Sequence, residues 1–241
     1  LFFFVQPWFY FTFSVVRLEW MSDKEQTNNP SHELTTWGVG PWQGDLPEGY
    51  DHPDSIYDPE LLANGDTRNV VDKYRYWKMS AIVADLDTKR HPFHVAIENW
   101  QHDLNIGSIV RNANAFLAQE VHIIGNKRWN RRGAMVTDRY LHLLHHPTVA
   151  EFVEWSEANN VPIIGIDNVP GCGNIENSVL PESCVLYFGQ EGPGLSAEGI
   201  AACSQILGIT QSGSTRSMNA SAAGAIAMYA WAMQNVHRKT N

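Results

Sequence analysis

Asn105, Gly107 and Arg111 stand close together in the stretch HVAIENWQHDLNIGSIVRNANAF, residues 94–116. A carboxamide hydrogen-bonds in both directions, and a guanidinium is a fixed charge on a planar fork. Such a pair holds and orients a ligand. Two further polar segments lie far down the chain, FGQEGPGLS at 188–196 and GITQSGSTRSMNAS at 208–221. The first offers one ionisable group, Glu191, among three glycines. The second offers Ser217 and Asn219 just ahead of a helix-like run.

All three segments follow an apolar run and precede a helical pattern. After His94–Ile97, the apolar positions Ile106, Ile109, Val110 and Ala113 recur at helical spacing. Asn105 in the loop and Arg111 on the helix, under two turns apart, are expected to face one cleft. Strands are expected at 93–98, 121–125, 161–166, 184–189 and 205–209. Helices are expected at 106–118, 148–159, 196–202 and 218–236, with a leading helix from Tyr74 to Leu86. This alternation implies an α/β fold with a parallel sheet covered on both faces. Strand-to-loop junctions at one edge of such a sheet are where ligand sites form. Ser196 reads as the cap of its helix. Ala220, Ala223, Gly224, Ala227, Ala230 and Trp231 make one stripe of the last helix, which is core or interface.

The basic residues of the folded part crowd the loop after the second strand. Lys127, Arg128, Arg131, Arg132 and Arg139 surround Trp129, opposed only by Asp138. Arginine with an interleaved aromatic suits phosphate contact and base stacking, so RNA contacts are expected at Lys127, Arg128, Arg131 and Arg132. The formal charge of −9 does not argue against this. Residues 21–72 hold eleven acids against two bases, and the remainder of the chain is balanced. That segment is also rich in Pro and Gly and reads as an extended arm, with Trp37, Trp42, Tyr50 and Tyr57 docking parts of it. The domain proper is expected at 73–241.

Residues 1–20 are strongly aromatic but lack the flanks of a secretory signal, and Gln6 and Pro7 interrupt a run short for a membrane span. Met21 is read as the start, with 1–20 as an upstream extension; a membrane anchor is the lesser alternative. Cys172, Cys184 and Cys203 form no metal or redox spacing, which points to a reduced, cytoplasmic setting. His142, His145 and His146, with His122 upstream, have no Cys or acidic residue at ligand spacing. YLHLLHHP alternates as a strand would, so no metal is expected and these histidines are read as structural.

Together the three polar segments resemble the SpoU (TrmH-like) class of the SPOUT RNA 2′-O-methyltransferases. Asn105, Gly107 and Arg111 match the first motif of that class. Gly189, Glu191 and Gly194 match its Gly-x-Glu-x-x-Gly turn, and Ser217 and Asn219 its Ser-x-Asn. The match covers about 92–236. Met218 and Ala220 stand where Leu and Val are commoner, and Gln190 where Asn or Ser is usual.

The resemblance implies a C-terminal trefoil knot, which sequence physics would not anticipate. It implies S-adenosylmethionine as cofactor, tRNA or rRNA as substrate, and a homodimer with the active site at the interface. It places Gly165, Gly189, Gln190, Gly192, Ile209 and Met218 against the cofactor. Asn105, Arg111, Glu191, Ser217 and Asn219 fall to catalysis. Arg111 is the family's proposed base; since a guanidinium normally stays charged, clamping the phosphate beside the target ribose is the other role. A catalytically silent RNA-binding protein of the same fold is the alternative reading, opposed by the joint presence of Asn105, Arg111, Glu191 and Asn219.

Overall fold

Seven parallel strands form one sheet, in the order β3-β2-β1-β6-β4-β7-β5. They are β1 (Phe93–Asn99), β2 (Val121–Gly125), β3 (Leu143–His146), β4 (Ile163–Ile166), β5 (Gly173–Asn174), β6 (Cys184–Phe188) and β7 (Gln205–Gly208). The structure, a computed structural model, describes residues 38–101 and 104–238. The expectations for residues 1–20 and for the arm up to Trp37 lie outside the described residues.

β1 and β6 are buried at every position, as central strands covered on both faces should be. On one face, α3 (Asn105–Ala115) packs against α6 (Ala220–Ala232), over Val95, Ile97 and Leu186. On the other, α4 (Val149–Asn159) and α5 (Ala197–Ala202) cover Ala96, Ile124 and Tyr187. The helix starts follow the sequence closely. Thr148 caps α4 by accepting from the Glu151 amide at 3.2 Å, and Ser196 caps α5 by accepting from Gly199 at 3.0 Å. Each is worth on the order of 1 kcal/mol.

The expected strands and helices are present, with ends displaced by a few residues. β5 is an addition to the expected strands, and β3 falls within YLHLLHHP, whose alternation is strand-like. The helix expected from Tyr74 to Leu86 is instead a short 3-10 turn, Asp72–Tyr74, followed by α2 (Met79–Asp87). The break has a cause outside that segment. Tyr76 is left-handed (φ 63°), its amide donates to the Asp66 carboxylate at 2.9 Å, and its carbonyl accepts from the Asp58 amide at 2.7 Å.

Those contacts belong to residues 38–72, the described part of the acidic segment. A helical turn, α1 (Pro59–Asn64), is capped by Asp58 and begins with proline, whose missing N–H costs nothing there. Trp42 packs edge-on against Tyr57 and Tyr76, at 6.3 and 5.3 Å between ring centroids. Asp66 is fully buried and takes Nε and Nη2 of Arg68 at 2.8 and 2.6 Å. Burial pushes its carboxyl up, but the hydrogen bonds from Arg68 and Tyr76 outweigh that and hold its pKa below the ordinary value. The expected seam between 72 and 73 is therefore crossed by hydrogen bonds and ring contacts.

The small-residue stripe of α6 faces inward. Gly224, Ala227 and Trp231 are buried, and a Cβ on Gly224 would touch Ile109 of α3 at 3.4 Å. Of the two readings of that stripe, core is correct. After Ala232 the helix widens into a π turn, Met233–His237. Among the described residues, no helix is long and apolar enough to cross a membrane.

Candidate active site

Three loops leave the C-terminal ends of β1, β6 and β7, and their side chains meet. Asn105, the first residue of α3, donates Nδ2 to Glu191 Oε2 at 2.7 Å. Asn219 donates Nδ2 to Asn105 Oδ1 at 2.8 Å, and the Ala220 amide donates to the same Glu191 oxygen at 3.0 Å. Residues 86 and 114 positions apart in sequence thus close one exposed network. Asn219 also caps α6, its Oδ1 accepting from the amides of Ser221 and Ala222 at 3.0 and 3.2 Å. One side chain therefore both starts a core helix and joins the network.

Backbone packing explains two of the glycines. Gln190 and Gly194 exchange backbone hydrogen bonds of 3.0 Å in each direction, folding the second segment into a tight turn. A Cβ on Gly189 would run into the Gly194 and Leu195 backbone, so no other residue fits without opening that turn. A Cβ on Gly107 would lie 2.8 Å from the amides of Gly133 and Ala134. The start of α3 is therefore pressed onto the basic loop, which holds that loop beside the first segment.

Between the ends of β4, β6 and β7 lies an open cleft. Gly189, Gln190, Glu191, Gly192, Ile209, Ser217 and Met218, all expected at the site, line it. Gly165 does not: it sits within β4, and a Cβ there would meet Cys203 and Leu195. Asn105 borders the cleft through Glu191. Arg111 is exposed and, like Asn105, is not itself among the lining residues. Six residues of helix turn it about 120° around the axis from Asn105.

Sequence reasoning missed Asp167 and Glu98. Asp167 ends β4 at the cleft and holds the 188–196 turn by accepting from the Leu195 amide at 2.8 Å. Glu98 is fully buried below that turn. It accepts from Tyr187 Oη (2.7 Å), Ser196 Oγ (2.7 Å), the Ser196 amide (3.1 Å) and Trp100 Nε1 (2.8 Å). Burial, with Glu98 beside it, holds the Tyr187 hydroxyl far above its ordinary range, so it remains a donor. A glutamate closing an apolar run is the one signal available for Glu98.

Lys127, Arg128, Arg131 and Arg132 are all exposed. Arg131 pairs with the buried Asp138 at 3.1 Å and lies over the Trp129 ring at 5.3 Å. Asn99 fixes the loop's path by donating Nδ2 to the carbonyls of Asn126 and Arg128 at 2.6 and 2.9 Å.

Comparison with known proteins gives this geometry its context. The model of the SpoU rRNA methylase family matches residues 92–229. A Synechocystis protein described as an uncharacterized tRNA/rRNA methyltransferase is 30% identical over 171 residues, covering 66% of this chain and 43% of that protein. A tRNA (guanosine(18)-2′-O)-methyltransferase of Borreliella burgdorferi is 24% identical over 160 residues, covering 65% of this chain and 73% of that one. Among solved structures, the Streptomyces viridochromogenes SpoU methyltransferase AviRb with AdoMet shares the fold. Its TM-score is 0.56 at 24% identity, over 63% of this chain and 61% of that one. The chain thus spans less than half the length of the Synechocystis relative.

Proposed function

The chain belongs to the SpoU rRNA methylase family, and from that premise we propose that it transfers a methyl group from S-adenosylmethionine to a ribose 2′-hydroxyl of tRNA or rRNA. The observation that carries this reading is the hydrogen-bonded meeting of Asn105, Glu191 and Asn219, one from each of the three motif segments.

The cleft fits the cofactor. Its backbone turn at 189–192 can hydrogen-bond the polar parts, while Phe188, Ile209 and Met218 supply apolar wall. When bound, the cofactor supplies a methyl group already activated on a sulfonium, so much of the protein's task is positioning. Asn105 and Glu191 hold the loops that border the donor site. Arg111 clamps the phosphate beside the target ribose, as a permanently charged fork does well. The cofactor would supply the methyl to the 2′ oxygen in exchange for its own bond to sulfur, and the hydroxyl proton would leave to solvent.

The active unit in this reading is a homodimer, because Arg111 lies outside the cleft of its own chain. Ile226 and Tyr229 are exposed on the outer face of α6, and Leu104 is exposed beside Asn105. That apolar face suits a second copy, whose cleft the Arg111 side chain would then serve. Lys127, Arg128, Arg131 and Arg132 extend the site as an RNA-contacting loop, and the setting is cytoplasmic. The return of the chain from edge strand β5 to central β6, then out to β7 between β4 and β5, is compatible with the trefoil knot of the family.

Incubation with labelled S-adenosylmethionine and total tRNA or rRNA tests the activity. Label is expected in alkali-resistant dinucleotides, the mark of a blocked 2′ oxygen. Arg111→Ala is expected to lose transfer by on the order of 10²–10³-fold, while calorimetry shows cofactor binding retained. Wild type that neither binds the cofactor nor labels RNA would overturn the reading.

A further inference from the structure

A second polar cluster lies at the opposite edge of the sheet, about 16 Å down β1 from Asn99 at roughly 3.3 Å per residue. His94 near the start of β1, Glu120 just before β2 and His122 within β2 converge there. Their separations are 3.3 Å from His94 Nδ1 to Glu120 Oε2, 3.8 Å from His122 Nε2 to Glu120 Oε2, and 3.3 Å from His122 Nε2 to His94 Nδ1. These are the kind of donor atoms and spacing that a metal ion requires. Four-coordinate zinc, with bonds of about 2.0–2.1 Å at the tetrahedral angle, sets its ligand atoms about 3.4 Å apart. Six-coordinate adjacent ligands would sit nearer to about 3.0 Å at the same bond length.

The surroundings favour a cation over a proton. Three acceptor-bearing atoms face one another, and a single ring N–H can satisfy only part of that set. The other nitrogen of His122, Nδ1, lies 3.0 Å from Nε2 of the buried His146. With His122 donating there, its Nε2 lone pair turns toward His94 and Glu120, the outer-partner arrangement typical of metal-bound histidine. Trp155 of α4 covers the row, its ring 4.1 Å from that of His122, so the rings are held in place before any ion arrives. Glu120 keeps 27% of its side chain exposed, which leaves a way in.

We propose that His94, Glu120 and His122 form a binding site for a divalent ion of the zinc class, four-coordinate with one open position, that clips β1 to β2. For His122 this goes beyond the reading as a structural histidine; His142, His145 and His146 are not among the ligands. The acidic partner, Glu120, stands two residues before His122 in the sequence, and parallel pairing of β1 with β2 is what brings His94 to them. The site is independent of the methyl-transfer cleft.

The test uses the full chain stripped of metal with a chelator. Titration with zinc is expected to show one equivalent bound per chain, and thermal unfolding is expected to move up with zinc and return with EDTA. Cobalt in place of zinc is expected to give the intense visible bands of a four-coordinate ion. Glu120→Gln keeps the size of the side chain and should weaken binding by more than the roughly 10–100-fold that losing an outer partner costs. His142→Gln, outside the cluster, should leave binding unchanged. Because Glu120 is partly exposed, that variant decides the matter even if His94→Gln fails to fold. Absence of zinc uptake, uptake that Glu120→Gln leaves intact, or a pale six-coordinate cobalt spectrum would each overturn the site.

Discussion

Glu98 and Glu191 are two carboxylates at neighbouring strand ends, and they meet opposite fates. Glu98 is sealed from solvent with donors from Tyr187, Ser196 and Trp100 around it. Glu191 is exposed at the cleft, tied to Asn105 and the Ala220 amide. A buried carboxylate costs several kcal/mol unless its oxygens are satisfied, and satisfying Glu98 draws β1, β6 and the start of α5 together. An exposed one costs little to hold, so what it touches can serve a ligand instead. The first shapes the turn; the second presents it.

That contrast predicts opposite outcomes from one chemical change. Glu98→Ala would leave the Tyr187 hydroxyl, the Ser196 hydroxyl and the Ser196 amide without their acceptor, at about 1–3 kcal/mol for a donor left buried, while the exposed Trp100 indole can turn to water. A destabilisation on the order of 3–5 kcal/mol in urea unfolding is expected from those donors together; a change under about 1 kcal/mol would break the contrast. Glu191→Ala should alter stability by no more than about 1 kcal/mol, as exposed sites usually do. Its methyl transfer should still fall at least tenfold. If Glu191→Ala instead unfolds the chain while Glu98→Ala does not, the two roles are reversed.

The asymmetry also explains what the sequence can reveal. Apolar runs mark β1, β2, β4, β6 and β7, because central strands need near-continuous apolar residues. β3 sits at an edge and its Leu143–His146 is mostly half-buried, so it shows in YLHLLHHP as alternation rather than a run, while β5 is two residues long and leaves neither. Glu191 is legible because motif residues cluster locally around it. Glu98 is not, since its partners lie 89 and 98 positions away. Which way Arg111 faces is not legible from sequence for a local reason: spacing under two turns says two residues are near, but not that they share a helix face.

Interior and exterior differ in the same way along α6. Gly224 faces Ile109, and a leucine there would over-pack the α3 contact, costing roughly 1–3 kcal/mol. Tyr229, 54% exposed on the other side, should tolerate aspartate without loss of fold. If the outer face is the dimer contact, Tyr229→Asp should sediment as a monomer and lose activity together with the dimer. A monomeric wild type with full activity would remove that role from the face.

The smallest effect is expected at the basic loop, where nothing but a ligand is at stake. Arg131 spends part of its charge on Asp138, while Lys127, Arg128 and Arg132 have no ion pair among the described residues. Replacing Arg128, Arg131 and Arg132 by glutamine should leave unfolding and cofactor affinity within error of wild type. RNA affinity should weaken, and its dependence on salt should become shallower by roughly 0.7–0.9 in log–log slope for each phosphate that is no longer neutralised. Arg131→Gln alone should change the slope least, because Asp138 already neutralises it, but it would also leave that buried carboxylate unpaired. A small destabilisation confined to Arg131→Gln, beside a slope change carried by Arg128 and Arg132, would separate the residue that holds the loop from those that hold RNA. An unchanged slope in the triple variant would return the loop to an ordinary solvated face.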